Sequence, residues 1–190
     1  QEKAFETVNT ELSLLRSQVS PHFMFNVLNT IVSMARLQSP QLEPTVMQLS
    51  SLMRYMLYDA NEEKVTVAKE IDYLQSYIDL QRKRFDDNLV FEAVFNIADP
   101  EILIEPMLLI PFVENAFKHG TNYVQTPSIS INFTATKKSI ELLVKNTYHP
   151  QELSKSDDTC GIGLQNVQRR LNLLYGSNHI LNIAKTDEWF

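Results

Sequence analysis

The stretch PFVENAFKHG, residues 111–120, decides the fold. Its apolar residues recur at helical spacing, whereas its polar residues crowd the last turn. Glu114 and Lys118 are four positions apart, and so are Asn115 and His119, which places the two pairs in neighbouring columns on one helical face. An exposed ion pair near the C-terminal end of the helix dipole accounts for Glu114 and Lys118. It does not account for the asparagine.

Asn115 interrupts an otherwise apolar helix, which the pattern predicts over residues 104–120. An amide oxygen beside a carboxylate suits Mg²⁺, because this ion binds few protein groups and keeps its waters and phosphate ligands. Lys118 would then meet the phosphates as a point charge. The stretch therefore indicates a site for a phosphate compound with Mg²⁺, in which Asn115 is the metal ligand.

Glycine is scarce, with four residues in 190, whereas an average chain of this length carries about 13. Gly120 and Gly176 each follow a helical pattern, which predicts a left-handed residue after each helix. Gly161 and Gly163 instead precede the helical pattern of GIGLQNVQRRLNLLYG. Glycines ahead of a helix let backbone N–H groups approach an anion. A simple turn also explains them, but Asn166 in the first turn favours phosphate binding. The segment is neither a Walker loop nor a GxGxxG fingerprint.

Upstream, QVSPHFMFNVLNTI, residues 18–31, places a proline and a histidine inside a helical pattern. Apolar residues from Phe5 to Val19 follow coiled-coil spacing, and the same register continues into a polar stripe after Pro21. The members of this polar stripe are His22, Asn26, Asn29 and Ser33. The pattern predicts a helix kinked at Pro21. Its inward residues are predicted to be Met24, Val27, Leu28, Ile31 and Met34.

The rest of the chain predicts an α+β fold with a mixed sheet and helices packed on one of its faces. Further helices are expected around residues 46–57, 68–85 and 161–176, and strands over residues 89–97, 128–136, 139–147 and 179–186. The third helix should bury Ile71, Leu74 and Ile78, and the last helix should bury Leu164, Val167, Leu171 and Leu174. Arg169 and Arg170 are predicted to be surface residues. The first two helices form a hairpin that is expected to dimerise into a four-helix bundle.

Composition narrows the classes of protein and the compartment. The net charge of −6 disfavours binding to nucleic acid, and a single cysteine, Cys160, rules out an internal disulfide framework and suits a reducing compartment. The sequence has no signal peptide and no run of about 20 apolar residues. Because it begins with glutamine, we expect a fragment whose membrane or sensor portion has been removed. Its connection to the membrane would be an N-terminal segment that this sequence lacks.

Taken together, these segments resemble the GHKL ATP-binding fold that gyrase and histidine kinases share. Within that fold, the chain resembles the LytS-type sensor histidine kinases of bacterial two-component systems. QVSPHFMFNVLNTI matches the family pattern Q-x-x-P-H-F-x-F-N-x-L-N, PFVENAFKHG matches the N box, and GIGLQNVQRRLNLLYG matches the glycine box. The resemblance extends from about Leu12 to the C-terminus. It implies a dimerisation and phosphoacceptor region over residues 1–62, a connecting helix over residues 63–88, and a GHKL-type α/β sandwich over residues 89–190.

The resemblance also implies a site. His22 would accept the γ-phosphate of ATP, Glu114 would orient or activate the transfer, and Asn115 would bind Mg²⁺. The spacing of Asn26, four residues after His22, additionally predicts a hydrogen bond to the histidine ring that fixes its tautomer. The nucleotide-binding residues would be Asn115, Lys118, His119, Gly120, Asn146, Gly161, Ile162, Gly163, Leu164 and Asn166. The chain would act as a homodimer, and a response-regulator aspartate would receive the phosphoryl group. The resemblance further implies that the chain is the cytoplasmic part of a bacterial inner-membrane protein.

Two departures from related proteins leave alternatives open. Asn146 stands where many GHKL proteins carry the aspartate of an Asp-x-Gly-x-Gly motif, and the glycines of that motif are missing. Phe23 follows the histidine where other histidine kinases have an acidic residue, although the LytS-type pattern itself has phenylalanine there. One alternative is therefore a catalytically weak or inactive GHKL signalling scaffold. Another is a GHKL kinase or ATPase that acts on a different protein.

Overall fold

The computed structural model describes residues 21–85, 88–121, 126–148, 162–186 and 188–190. The coiled-coil spacing from Phe5 to Val19, the backbone on the N-terminal side of the predicted kink, and Gly161 lie outside the described residues. None of the helices within these ranges combines the length and apolarity that a membrane crossing requires.

Two helices open the described chain: α1 covers Pro21–Arg36 and α2 covers Leu42–Leu57, and they pack against each other as the predicted hairpin. Helix α1 carries three different stripes along its length. Phe23 and Val27 are buried, with Met24, Ile31 and Met34 half-buried beside them. The polar stripe is mostly exposed.

The third stripe of α1 was not expected from the sequence, and we call it the apolar stripe. It consists of Phe25, Leu28 and Val32, all of which are exposed. The prediction that Leu28 points inward is wrong, because 46% of its surface remains accessible. Phe23 occupies the inward position instead, since it lies on the same helical face as Val27.

Helix α3, Val67–Arg82, is the central element of the fold. The Thr66 hydroxyl caps its first turn by accepting a hydrogen bond from the backbone N–H of Lys69 at 3.3 Å. Nine of its 16 residues are buried, and the predicted inward residues Ile71, Leu74 and Ile78 are among them. The helix packs against α2 on one side and against the sheet region on the other, so one hydrophobic core connects the hairpin with the rest of the chain.

The main sheet has three strands, β2 at Val90–Ile97, β4 at Ser128–Ala135 and β5 at Ile140–Asn146. β2 and β4 are parallel, whereas β4 and β5 form the predicted antiparallel hairpin. A smaller sheet pairs β1, Val65–Thr66, with β3, Leu103–Ile104. The described chain is therefore α+β with a mixed sheet, as predicted.

The helix predicted over residues 104–120 is shorter, because Ile104 belongs to β3 and helix α4 covers Ile110–Gly120. Between them lies the junction turn, which we define as residues 105–109. Met107 in this turn has a φ of 55°. A helix cannot continue through a left-handed residue, so the apolar run divides into strand, turn and helix.

The last helix, α5, covers Ile162–Tyr175 and ends at Gly176, whose φ of 53° confirms the predicted left-handed residue. Leu164 and Val167 are buried as predicted, and Leu171 and Leu174 are half-buried. The strand predicted over residues 179–186 is wrong, since this described segment forms no paired strand. Residues 188–190 pair with the end of β5 instead, through two hydrogen bonds of 2.9 Å between the backbones of Asn146 and Phe190.

Candidate functional site

Helix α4 presents the polar residues that the sequence singled out. Its buried side carries Val113, Ala116 and Phe117, which fix the helix in the core. On the other side, Glu114, Asn115 and His119 are half-buried, and Lys118 is exposed. The helix therefore displays an amide, a carboxylate and a cation close together at a partly open surface.

Glu114 lies near helix α3. Burial raises the pKa of the Tyr77 hydroxyl, and the negative charge of Glu114 raises it further. The same carboxylate also contributes to the raised pKa of Tyr73. This side of α4 thus carries a negative charge at its contact with the connecting helix.

Gly120 and Asn146 are brought together at the end of α4. The prediction of a left-handed conformation at Gly120 is wrong, because this residue is the last of the helix and has no positive φ. A Cβ atom at this position would lie 2.7 Å from the Cβ of Asn146. The buried Asn146 side chain donates to the carbonyl oxygen of Thr147 at 3.0 Å. Glycine is therefore required here by the close approach of β5.

Replacing Gly120 with alanine is expected to lower the free energy of unfolding by about 1–3 kcal/mol, because the added methyl group overlaps a buried side chain. Gly163→Ala is the matched control, since none of the described residues comes within 4 Å of the added atom. It should leave stability unchanged or raise it by up to about 1 kcal/mol. Thermal and urea unfolding followed by circular dichroism measures both. Equal effects at the two glycines would contradict this interpretation.

The glycine-box residues lie at the start of α5, which packs against α4. Ile162 is the first residue of the helix, Gly163 is exposed, and Leu164 anchors the turn in the core. Asn166 is half-buried one turn later. The described part of the predicted nucleotide-binding glycine box thus adjoins the helix that carries Asn115.

Arg170 corrects a sequence prediction, because it is only 2% exposed and does not lie on the surface. Its guanidinium donates from Nη1 to the carbonyl oxygen of Met107 and from Nη2 to that of Pro106, both at 2.9 Å. Arg169 is exposed as predicted. The two arginines are consecutive, so only the helical face distinguishes them, and the inward spacing of Val167 and Leu171 could have indicated the face of Arg170.

His22 lies exposed on α1, and Asn26 one turn later contacts its ring as the spacing predicted. The Asn26 Nδ2 atom is 3.2 Å from Nδ1 and 3.3 Å from Nε2 of His22, so it donates to whichever ring nitrogen lacks a proton. Phe23, the residue after His22, is buried and packs on Tyr77 with 4.5 Å between ring centroids. Tyr77 in turn meets Phe117 of α4 edge-on at 6.3 Å. Ring contacts therefore connect the helix of His22 with that of Asn115.

Sequence reasoning missed Glu70, which is 1% exposed on α3. It accepts hydrogen bonds from the Tyr55 hydroxyl and from the backbone N–H groups of Met107 and Leu109. Burial raises the pKa of its carboxyl, although these hydrogen bonds act in the opposite direction. Its position four residues before Leu74 on the buried face was the available signal.

Comparison with known proteins adds a sequence relationship to this geometry. A family model described as Histidine kinase matches residues 10–89. The sensor protein LytS of Oceanobacillus iheyensis is 31% identical over 191 residues, and the sensor histidine kinase BtsS of Escherichia coli K12 is 33% identical over 180 residues. The chain belongs to the LytS-type sensor histidine kinase family. The predicted resemblance to LytS-type sensor histidine kinases is thereby confirmed.

The alignments cover most of this LytS-type chain but little of its relatives. The sensor histidine kinase/phosphatase LytS of Staphylococcus aureus is 29% identical over 194 residues, which is 94% of the chain and 32% of that protein. The corresponding shares for BtsS are 92% and 31%. The chain therefore spans about a third of the length of the curated relatives it matches.

The donor set of this LytS-type chain fits a magnesium ion that is shared with phosphate. Within the described ranges, no three His, Cys, Asp or Glu residues gather into a group that could hold a metal ion. Magnesium needs only one or two protein oxygens when phosphates and waters complete its shell. Asn115, with Glu114 beside it, would supply such a set.

Proposed function

We propose that the chain is the cytoplasmic transmitter part of a bacterial inner-membrane sensor histidine kinase. It would transfer the γ-phosphoryl group of ATP to His22 and then to an aspartate of a response regulator. The observation that carries this proposal is the arrangement of α1. An exposed histidine with an ordered ring partner lies on a helix whose other face is anchored to the α3–α4 core.

His22 would act as the nucleophile. An unprotonated ring nitrogen attacks the γ-phosphorus, an N–P bond forms, and the bond between the γ-phosphorus and the bridging oxygen breaks to release ADP. For the attack, the Asn26 amide would turn so that its oxygen accepts a hydrogen bond from the ring N–H. This leaves the unprotonated nitrogen free and favours one tautomer. Because phosphoryl transfer depends mainly on positioning and charge neutralisation, the absence of an acid beside His22 does not preclude the step.

The nucleotide would lie against α4 and the start of α5, in a GHKL-type domain over residues 89–190. Asn115 would ligate Mg²⁺, which when bound neutralises phosphate charge, and Lys118 and His119 would face the phosphates. Gly161 to Leu164 would form the wall over the nucleotide, with Asn166 at the helix start. Asn146 and Gly120 would lie at the adenine end, where an amide oxygen replaces the carboxylate of related proteins. Glu114 would orient the transfer.

Titration of the protein with ATP and Mg²⁺, followed by calorimetry, tests this function against the scaffold alternative. The kinase requires saturable binding that weakens when Mg²⁺ is removed. Failure of ATP to bind would contradict the kinase and favour a scaffold, an alternative that Asn146 motivates because it offers a neutral acceptor. If the chain instead acts on a different protein, His22→Asn would leave phosphorylation of that protein or ATP turnover intact.

The hairpin would form a homodimer through its exposed apolar surface. Helix α2 also has exposed apolar residues at helical spacing, Val46, Met53 and Leu57. Exposed apolar side chains that gather into a patch mark association surfaces. A four-helix bundle would bury both stripes.

Val32→Glu is expected to convert a dimer into a monomer, because it places a charge inside the buried apolar interface. Ser33→Glu is the control, since it adds the same charge to the neighbouring polar stripe. Sedimentation equilibrium measures the mass of each variant, and circular dichroism checks that the helices remain. A wild-type monomer, or a Val32→Glu dimer as tight as the wild type, would contradict the assignment of this surface.

A further inference from the structure

A fully buried carboxylate lies where three parts of the fold meet. Glu70 belongs to α3 and accepts a hydrogen bond from the hydroxyl of Tyr55 on α2. Its Oε2 atom also accepts from the backbone N–H of Met107 at 3.0 Å, and Oε1 accepts from that of Leu109 at 3.2 Å. This side chain of α3 thus contacts both the α1–α2 hairpin and the junction turn.

The junction turn needs such support because its backbone is strained. Met107 has a φ of 55°, a left-handed conformation that is unfavourable for a residue with a side chain. Buried backbone donors in this turn also require acceptors. Glu70 satisfies two of them with a charged or strongly polar group, so it stabilises this conformation of the turn against less strained ones.

Arg170, on helix α5, contacts the same turn. Its two terminal nitrogens donate to the carbonyl oxygens of Pro106 and Met107. Glu70 therefore binds the donors of the junction turn and Arg170 binds its acceptors. The turn is fixed between α3 and α5 by two buried ionisable side chains.

Both helices of the proposed nucleotide site adjoin this turn. Helix α4 starts directly after it, and Asn115 lies six residues beyond Leu109, roughly 9 Å along the helix axis. Arg170 follows Gly163 by seven residues on α5, roughly 10 Å along its axis. Since helices transmit displacement as rigid bodies, a shift of the turn moves the metal ligand and the glycine-box backbone relative to each other.

We propose that Glu70 is a positioning residue for the nucleotide site, and that its hydrogen bond from Tyr55 makes the affinity for Mg²⁺-bound ATP depend on the hairpin. Arg170 is its counterpart on α5. This inference rests on the proposed function, because it takes Asn115 and the glycine box as the nucleotide site. It adds a route by which a change in the hairpin reaches that site without any contact between the hairpin and the nucleotide.

Tyr55→Phe tests the hairpin connection with the least disturbance. It removes one hydroxyl and keeps the stacking of ring 55 on Tyr73, whose centroids are 4.4 Å apart. Tyr58→Phe is the matched control, because Tyr58 is 70% exposed and only three residues away. Arg170→Lys, paired with Arg169→Lys, tests the other side of the turn. Glu70→Gln is less informative, since its amide would place a donor opposite backbone donors and unfold part of the population.

Two measurements are made on the same protein well below the unfolding midpoint, where binding is insensitive to global stability. Calorimetry with Mg²⁺ and a non-hydrolysable ATP analogue should show about tenfold weaker binding for Tyr55→Phe and for Arg170→Lys, and wild-type binding for both controls. Hydrogen exchange without nucleotide should show faster exchange in residues 107–120 for Tyr55→Phe and Arg170→Lys only. The double variant should bind less weakly than the product of the two single effects, because both act through one turn.

The outcomes separate the two proposals. If the wild type binds the analogue while Tyr55→Phe and Arg170→Lys bind as tightly as their controls, the positioning role is overturned and the proposed function stands. If the wild type does not bind, the proposed function fails, and the positioning of a nucleotide site by Glu70 fails with it. Unchanged exchange in residues 107–120 for both variants would also overturn the role of the junction turn.

Discussion

Replacing Phe23 with alanine is expected to lower the free energy of unfolding by about 3–5 kcal/mol, the usual cost of deleting a buried aromatic ring. Phe23 is 3% exposed and packs on Tyr77, so its loss leaves a cavity between α1 and α3. Urea unfolding followed by circular dichroism measures the change. Tyr58→Ala is the control, because it removes an exposed aromatic ring and should change stability by no more than about 0.5 kcal/mol.

Phe23→Glu sharpens this prediction. It introduces the acidic residue that other histidine kinases carry after the phosphoacceptor, but here the carboxylate would be buried in the core without a partner. We therefore expect Phe23→Glu to be less stable than Phe23→Ala and to gain no activity. A stable Phe23→Glu variant with faster phosphorylation would contradict the structural role, because position 23 would then face His22 and not the core.

Asn115→Ala is expected to lower the rate of phosphorylation of the protein roughly 100-fold or more. This is the usual cost of removing one contact that stabilises charge at a reaction centre. Asn115 supplies the amide oxygen that would bind Mg²⁺, and alanine offers none. Its half-buried position on α4 means that the helix should remain folded. Phosphate incorporation from ATP and binding of ATP with Mg²⁺ are measured together.

Asn96→Ala is the control for this variant, because Asn96 is exposed on β2 and has no role in the proposed site. Its phosphorylation should equal that of the wild type. If Asn115→Ala is phosphorylated as fast as Asn96→Ala, the magnesium ligand lies elsewhere.

Most elements of the fold were predictable because their hydrophobic periods are regular. The alternation in residues 89–97 and the hairpin of β4 and β5 follow directly from period-two patterns. The buried face of α3 follows in the same way from Ile71, Leu74 and Ile78. The prediction of a final strand was wrong, because alternation of apolar residues alone does not provide a pairing partner. The apolar residues Ile180 and Ile183 of that segment remain exposed.

Within the site, the sequence indicated the polar face of α4 and the contact between His22 and Asn26, because both depend on spacing along one helix. Helical spacing could have indicated that Glu70 and Arg170 are buried. It could not indicate their partners, which include backbone groups of the junction turn more than 30 residues away along the chain. For the same reason, the sequence led to a wrong explanation of the glycine at position 120. Its constraint is a contact with a distant strand and not its own backbone conformation.

The most direct test of the central claim is incubation of the protein with γ-labelled ATP and Mg²⁺, followed by acid and alkali treatment. The wild type and His179→Ala should carry label that acid removes and alkali leaves, as expected for phosphohistidine. His22→Ala should carry none. Absence of acid-labile label in the wild type, or label that persists in His22→Ala, would contradict phosphoryl transfer to His22.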